Sequence, residues 1–440
     1  MLQSFGGPIM NEIICRLNEN DTFSKEGVNF IVDLFSKKQY RYTFWDDNKR
    51  KLYQCGLFEN SAIDLLYISL MVYYADRKIS RKNTDDAWTR VFKIYIPVLE
   101  IDKWNENKEL LETMLSFLSG DKWSFYFRKR ELNQKEKRVF KGIGRQKRKQ
   151  TPNAICMLSG GLDSFIGSID ALTKDKDIWF VGYYGGGKGV TKYQKNVIEK
   201  LINHFQLSTN HFFNFFASPI QGIEDTTRTR SFMFFAHAII LGSSFNTDIK
   251  LIVPENGLIS LNIPLTNTRL GSCSTRTTHP YYMGLLQQLL NNLNIKVFLH
   301  NPYQFRTKGQ MIEECMDLDF LRINISETMS CSHPDVGRYI HDKNPTHCGN
   351  CLPCVIRRAA IEHALQVDSS NYKDKDFNQP RASENLHSFK VGLLDYVNNP
   401  IHAELAIQIS GKVVDNIDNY CTVYENGIHE LKTLLDKYNG

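Results

Sequence analysis

The chain has 440 residues, of which 42% are hydrophobic and 23% are charged, and its formal net charge at pH 7 is +6. This size and composition are typical of a soluble globular protein with two or three domains. The longest apolar run, residues 232–241, is too short to span a bilayer and contains His237. The first residues lack the pattern of a signal peptide, so we expect a cytoplasmic protein without a membrane segment.

Residues 1–127 consist mainly of short aromatic-rich segments with strand character. Strands are predicted at 28–35, 40–45, 88–97 and 122–128, and a helix at 60–76. No catalytic residue types cluster in this part of the sequence. We therefore expect a separate N-terminal α+β domain that docks or binds a partner.

A basic run occupies residues 128–149. Eleven lysines and arginines stand against Glu131 and Glu136, which gives a local net charge of +9. We interpret 128–151 as a solvated linker. The alternative is a surface that holds nucleic acid or an acidic partner.

From residue 152 onward, apolar strands and helices alternate. Strands are predicted at 154–158, 178–183, 211–216, 250–254 and 296–300, and helices at 164–172, 191–205, 229–243, 280–292 and 307–316. Continuous apolar strands separated by helices indicate a parallel sheet with helices on both faces, and ligands bind beyond the carboxyl ends of its strands. We predict an α/β domain over 152–366 and a helical C-terminal extension over 367–440.

The first of these strands leads directly into Ser159-Gly160-Gly161-Leu162-Asp163-Ser164. Adjacent glycines let the backbone approach an anion, and the N–H groups of the first helical turn point towards it. Ser159 and Ser164 add hydroxyl donors, and Asp163 offers an oxygen ligand for Mg²⁺ bound to phosphates. The alternative is an ordinary strand-to-helix turn with a serine cap.

Four of the ten cysteines form a second motif, at Cys331, Cys348, Cys351 and Cys354. In a reducing compartment, clustered cysteines bind metal more often than they form disulfides. Four thiolates complete a closed, structural Zn²⁺ site over 331–354, and an iron–sulfur cluster is the alternative. His333 and His347 are competitors for a ligand position. The remaining cysteines are interpreted as small apolar residues: Cys15, Cys55, Cys156, Cys273, Cys315 and Cys421.

These motifs, in this order, resemble those of the QueC family, the 7-cyano-7-deazaguanine synthases among the PP-loop ATP pyrophosphatases. The resemblance rests on Ser159–Ser164, on Thr307-Lys308, and on Thr328-Met-Ser-Cys331 with the three later cysteines. It implies an adenine-nucleotide-hydrolase-like sheet and a ligase that uses Mg²⁺ and ATP to adenylate a 7-deazaguanine carboxylate before amide formation. It also implies catalytic roles for Asp163 and Lys308, with Lys308 neutralising charge on the leaving pyrophosphate.

The resemblance makes further polar residues candidates for substrate binding. Glu255 follows a strand end and suits the N–H edge of a guanine-like ring, and Asn256 suits its carbonyl group. A donor-rich loop that suits a phosphate or the substrate carboxylate contains Thr275, Arg276, Thr277 and His279. The alternatives are helix-cap and surface roles, and a lone histidine such as His279 is usually structural.

Two further arginines, Arg228 and Arg230, precede a predicted helix. They are as compatible with a solvated surface as with a site.

The long layout, including 254–265 and 269–280, resembles QatC, the QueC-like member of a bacterial anti-phage defence system. This form implies that the deazaguanine is joined to a small partner protein of the QatB type. Two other hypotheses stay open. One is a tRNA-modifying PP-loop enzyme that holds RNA on the basic run, and the other is a nucleotide-binding scaffold of a defence complex.

Overall fold

The computed structural model describes residues 10–18, 20–146, 150–185, 188–263, 276–334, 345–397 and 402–438. They form two parallel sheets flanked by helices, with a helical layer at the C-terminal end. No helix within these ranges is long and apolar enough to cross a membrane.

The described residues of the N-terminal part form five strands and six α-helices. They are β1 (Met10–Arg16), β2 (Phe30–Asp33), β3 (Tyr40–Tyr42), α1 (Phe44–Asp47), α2 (Lys49–Leu52), α3 (Asn60–Lys78), β4 (Val91–Val98), α4 (Ile101–Glu106), α5 (Lys108–Ser119), β5 (Lys122–Lys129) and α6 (Gln134–Arg145). Four strands form a sheet in the order β2-β1-β4-β5, and every neighbouring pair is parallel. The sequence led us to expect an α+β unit. The chain passes from β4 to β5 through the helices α4 and α5, and all neighbouring strands are parallel, so the observed arrangement is of the α/β type.

Helix α3 is buried along almost its whole length, from Ser61 to Asp76. The structure beyond the basic run includes the strand β9 (Ala217–Pro219) and the helix α9 (Arg230–Ser243). Helix α3 packs against α9, and β3 pairs antiparallel with β9. A helix that is buried all round lies between two layers. The N-terminal part and the second sheet therefore share one continuous hydrophobic core.

The central part contains the second sheet. Its other elements are β6 (Ala154–Met157), α7 (Leu162–Lys174), β7 (Ile178–Tyr183), α8 (Lys188–Phe205), β8 (Phe212–Phe215), β10 (Ile249–Ile252), α10 (Gly257–Leu261), α11 (Pro280–Asn292), β11 (Val297–His300), α12 (Lys308–Glu313), α13 (Leu318–Asn324) and α14 (Leu352–Leu365). The strand order is β11-β10-β6-β7-β8 and all pairs are parallel, so the predicted parallel sheet is confirmed.

The strand order reverses beside β6, because the chain adds β7 and β8 on one side and β10 and β11 on the other. Parallel sheets bind ligands in the crevice at such a reversal, beyond the carboxyl ends of the strands. The 159–164 loop follows β6, and Glu255 follows the neighbouring strand β10. The topology therefore brings these two segments to the same crevice.

The C-terminal layer consists of α15 (Pro380–Val397), α16 (His402–Gln408) and α17 (Ile417–Leu435). Its apolar side chains form a second core with α10 and α14, in which Leu258, Val355 and Leu431 are buried together. The extension thus packs against α10, which follows the strand β10, and against α14.

Candidate active site and metal centre

The 159–164 loop has a backbone that only glycine fits at its second position. Gly160 has a φ of 86°, and a Cβ atom there would lie 2.8 Å from the Cα of Gln194. The carbonyl oxygen of Gly160 accepts a hydrogen bond of 2.9 Å from the N–H of Met329. The Ser159 hydroxyl donates to the Ser164 hydroxyl at 3.1 Å. The loop is thus held from two sides at the start of α7.

Helix α7 begins at Leu162, and its first backbone bond joins the Phe165 N–H to the Gly161 carbonyl at 3.0 Å. The N–H groups of Leu162, Asp163 and Ser164 are therefore not used inside the helix. No acceptor from the described part of the chain contacts them. This end of α7 carries a partial positive charge and suits an anion such as a phosphate.

Four polar side chains meet beside this helix end. The ammonium group of Lys308 contacts Oδ1 of Asp163. Nδ2 and the backbone N–H of Asn256 donate to Oδ2 of Asp163 at 2.7 and 3.2 Å. The same Asn256 amide lies 3.2 Å from Oε1 of Glu255, whose carboxyl group also hydrogen-bonds to Asp163. The two predicted catalytic residues and two predicted substrate-binding residues thus form one cluster.

The two carboxyl groups of the cluster have opposite pKa shifts. Burial opposes the ionisation of Asp163, but the Lys308 charge and the hydrogen bonds from Glu255 and Asn256 outweigh it and lower its pKa to about 2. Burial and then the negative charge of Asp163 raise the pKa of Glu255 well above its usual value. When the pair holds a single proton, that proton is therefore on Glu255 and not on Asp163.

Lys308 is positioned by the helix that it begins. Thr307 caps α12 by accepting from the Gln310 N–H at 3.1 Å, and the Gln310 side chain accepts from the Thr307 N–H at 2.9 Å. The Thr307 hydroxyl donates to Glu430, which lies on α17. The C-terminal layer therefore contacts the residue next to Lys308, a connection that the sequence did not reveal.

A pocket of about 280 Å³ opens beside the cluster. Its polar lining includes Ser159, Ser164, Arg228, Glu255, Thr277 and Thr278. Arg228 is only 6% exposed, so the solvated surface position that the sequence analysis left open does not apply to it.

The predicted loop before α11 is only partly described, because Thr275 and Cys273 lie outside the described residues. Arg276 donates to the carbonyl oxygen of Phe117 at 2.8 Å. His279 caps α11 by accepting from the Tyr281 N–H at 3.2 Å, and burial followed by the Arg276 charge lowers its pKa to about 3. His279 therefore occupies a buried cap position beside the Phe117 ring and does not line the pocket.

The four cysteines of the second motif converge, and all are buried. The sulfur atoms of Cys331 and Cys351 lie 3.9 Å apart, and those of Cys348 and Cys354 lie 3.8 Å apart. Four sulfur atoms bound to one Zn²⁺ ion at about 2.3 Å lie about 3.8 Å from one another, so the spacing fits a tetrahedral zinc site. His347 places Nε2 at 3.1 Å from the Thr328 carbonyl oxygen and Nδ1 at 4.0 Å from the sulfur of Cys354.

The metal centre and the 159–164 loop are joined by a short segment. Cys331 follows Thr328 and Met329, and Met329 carries the N–H that binds Gly160. Arg357 on α14 donates to the Thr328 hydroxyl at 2.7 Å. A metal ion bound by the cysteines would therefore stabilise the backbone on which the loop rests.

Some basic residues of the 128–149 run form ion pairs within the fold, and others are exposed at the surface. Arg128 and Arg130 form ion pairs inside the N-terminal part, with Asp21 at 2.9 Å and with Glu136 at 3.0 Å. Lys147, Arg148 and Lys149 lie outside the described residues. Helix α6 exposes four basic residues: Lys137, Arg138, Lys141 and Arg145. Part of the run is thus structural, and part remains available at the surface.

Comparison with known proteins shows a similarity to QueC proteins. Residues 278–365 match the family model described as "Queuosine biosynthesis protein QueC". The chain is also 24% identical over 246 residues to a 7-cyano-7-deazaguanine synthase of Methanococcus vannielii, an alignment that covers 50% of this chain and 98% of the relative. The QueC match contains Lys308 and all four cysteines of the metal centre. This part of the chain is therefore similar to QueC proteins.

Proposed function

We propose that the protein is a QueC-like ligase that uses Mg²⁺ and ATP to adenylate the carboxylate of a 7-deazaguanine and then forms an amide. The observation that carries this proposal is the buried contact between Asp163 and Lys308 at the anion-binding end of α7. The QueC match over 278–365 supports the choice of substrate class. A PP-loop enzyme splits ATP between its α and β phosphates, so the expected products are AMP and pyrophosphate.

The binding of ATP follows from the polar groups of the loop. The N–H groups at the start of α7 and the hydroxyls of Ser159 and Ser164 bind the phosphates that leave as pyrophosphate. Lys308 neutralises the charge that develops on this leaving group. Asp163 presents a carboxylate oxygen of the kind that Mg²⁺ prefers, and a bound Mg²⁺ ion would offset phosphate charge. Glu255 accepts from the N–H edge of the substrate in this proposal.

The reaction has two bond exchanges. A carboxylate oxygen of the substrate bonds to the α phosphorus of ATP, and the bond from that phosphorus to pyrophosphate breaks. An amine nitrogen then bonds to the activated carbonyl carbon, the bond to AMP breaks, and the amine loses a proton. The chain needs no covalent nucleophile for either step, because substrate and acceptor supply both attacking atoms.

The metal centre has a structural role in this proposal. Four cysteine ligands leave no open position for a substrate. Zn²⁺ bound there would fix Cys331, and through Met329 it would support Gly160.

The acceptor that we propose is a small partner protein, as in a QatC-like defence system. Two features support this choice: the long layout of the sequence and the N-terminal part. Both go beyond the region that matches QueC. The exposed basic face of α6 favours a second candidate, a tRNA or another nucleic acid, because its phosphates would be attracted to four cationic side chains.

The test is to incubate the protein with ATP, Mg²⁺, 7-carboxy-7-deazaguanine and the co-expressed partner protein, and to measure both AMP and the intact mass of the partner. AMP with a mass gain on the partner supports ligation to protein. AMP with a modified RNA supports the second candidate, and AMP with a free nitrile indicates a QueC-like product. If the wild-type protein forms no AMP, the proposed reaction is wrong and a nucleotide-binding scaffold is favoured.

A further inference from the structure

One wall of the pocket is made by the segment that leads into α9. Thr227, Arg228, Arg230 and Ser231 from this segment all line the cavity. Arg228 is buried in the wall, whereas Arg230 is exposed. The buried side chain of Arg228 therefore forms part of the cavity lining.

The segment is held in place by helix α3 of the N-terminal part. Asp76 is fully buried and accepts hydrogen bonds from the Arg228 N–H at 2.7 Å, the Thr229 N–H at 2.9 Å and the Thr229 hydroxyl at 2.9 Å. Asp76 therefore caps α9 from another part of the fold. Its other oxygen accepts from Arg90 at 2.6 Å, which fixes the carboxylate itself.

The residues before Arg228 form hydrogen bonds with the end of the same helix and with the segment that follows it. The N–H groups of Ile223 and Glu224 donate to the Arg77 carbonyl oxygen at 2.9 and 3.0 Å. The Glu224 carboxylate accepts from the Arg81 N–H at 2.9 Å. The N-terminal part thus determines the position of the entire wall, and its contribution goes beyond docking.

Two aromatic rings of the N-terminal part also orient arginine side chains here. The guanidinium carbon of Arg228 lies 4.5 Å from the ring centre of Trp88, and that of Arg276 lies 4.6 Å from the ring centre of Phe117. Burial, followed by the positive charges of Arg81 and Arg276, lowers the pKa of Arg228 to about 10. The charges of Arg228 and Arg276 therefore repel each other. Arg228 is still charged at neutral pH, so the wall is positive.

We propose that Arg228 binds an anionic group, a carboxylate or a phosphate, of the small molecule that occupies this pocket, and that Asp76 is its positioning residue. The planar guanidinium group matches the two oxygens of either anion, and a bound anion offsets the repulsion between Arg228 and Arg276. The choice of ligands rests on the proposed function, which supplies both anions: the carboxylate of a 7-deazaguanine acid and the phosphates of ATP.

The first experiment measures the dissociation constants of 7-carboxy-7-deazaguanine, its uncharged carboxamide and ATP by calorimetry, for the wild type, Arg228→Gln and Arg228→Lys. If Arg228 binds the substrate carboxylate, Arg228→Gln weakens binding of the acid by about 10- to 100-fold and leaves the carboxamide unchanged. If Arg228 binds a phosphate, Arg228→Gln weakens the binding of ATP by the same factor. Arg228→Lys recovers part of either loss.

The inference is overturned if folded Arg228→Gln binds acid, carboxamide and ATP as the wild type does, or if it loses affinity for acid and carboxamide equally. A wild type that binds none of the three ligands would instead reject the proposed function on which the ligand choice rests. The two failures are therefore distinguishable.

The positioning role of Asp76 has a matched control on the same helix. Asp64 is also buried, but it accepts from the Leu99 and Glu100 N–H groups at 2.8 and 3.0 Å, away from the pocket. Asp76→Asn, and the milder Thr229→Val, should raise the dissociation constant of the anionic ligand by about threefold to tenfold and leave the constants of the other ligands unchanged. Asp64→Asn should lower stability and leave all three dissociation constants unchanged. Equal losses in the Asp76 and Asp64 variants would reject the positioning role.

Discussion

Asp163 and Lys308 are separated by 145 positions in the sequence, yet the ammonium group of one contacts the carboxylate of the other where both side chains are buried. The pair joins the helix that begins at the 159–164 loop to the helix that begins at Lys308. Two helix N-termini and a charged pair therefore meet at the crevice of the sheet. This arrangement places positive groups around a position where phosphate oxygens would lie.

Removal of the Asp163 charge should abolish most of the activity. Asp163→Asn takes away the partner of Lys308 and an oxygen ligand for Mg²⁺, so we expect the rate of AMP formation to fall on the order of 10²- to 10³-fold. The control is Asp170→Asn on the same helix, where the carboxylate accepts from the Tyr303 hydroxyl at 2.6 Å and the Met316 N–H at 2.9 Å. That change should lower stability by about 1–3 kcal/mol and leave the rate within about twofold. Equal rate losses would show that Asp163 acts only through folding.

The raised pKa of Glu255 should make stability depend on pH. Its folded pKa lies above its unfolded value, so the native state binds more protons and the free energy of unfolding falls as pH rises between the two values. Glu255→Gln should remove this decrease in the free energy of unfolding. Relative to the wild type, the variant should therefore be more stable at pH 8 than at pH 5. Urea unfolding without Mg²⁺ at the two pH values measures the difference, with the exposed Glu314→Gln as control. A wild-type fall that persists in Glu255→Gln would contradict the protonated state.

Loss of one thiolate from the metal centre should lower the stability of the fold more than it directly changes the reaction rate. Cys351→Ser should lose bound zinc and destabilise the protein by more than about 4 kcal/mol, since metal binding is part of the folding free energy. Cys315→Ser replaces another buried cysteine that is not in the cluster, and it should keep one zinc per chain. Zinc analysis together with urea unfolding provides the comparison. A stable, zinc-free and active Cys351→Ser protein would rule out a structural metal.

The C-terminal layer should influence Lys308 through Glu430. The Glu430 carboxyl group accepts from the Thr307 hydroxyl and from the Gly309 N–H, and burial raises its pKa. Glu430→Ala leaves both donors without this acceptor, so we expect a stability loss of about 1–3 kcal/mol and a lower kcat for AMP formation. Glu425→Ala on the exposed side of the same helix should change neither quantity. An unchanged kcat in Glu430→Ala would show that α17 only stabilises the fold.

The local motifs could be predicted because their chemistry lies within a few consecutive residues. The five strands of the second sheet are mainly apolar segments, and the cysteine spacing alone indicates a closed cluster. Strand β1 was missed because Ile13, Ile14 and Cys15 form only a short apolar run between polar residues. The basic charge of α6 concealed the helical spacing of Val139 and Ile143, which are its buried residues beside Glu136.

The long-range contacts of the site could not be predicted. Arg228 becomes a pocket residue because Asp76 holds its backbone across 152 positions, and no local pattern encodes that contact. The same holds for Glu430, which reaches Thr307 across 123 positions. The parallel order of the N-terminal sheet also depends on how its helices cross over, which strand patterns alone do not specify.

We propose that this protein splits ATP between the α and β phosphates to activate a carboxylate. The most direct measurement uses ATP labelled at the α phosphate to follow AMP and ADP, with a separate assay of pyrophosphate. The mixture contains Mg²⁺ and ammonia as the amine acceptor, in the presence and absence of 7-carboxy-7-deazaguanine. We predict AMP and pyrophosphate in equal amounts, formed only when the acid is present and lost in Asp163→Asn. Formation of ADP and phosphate, or no consumption of ATP with the acid present, would contradict the account.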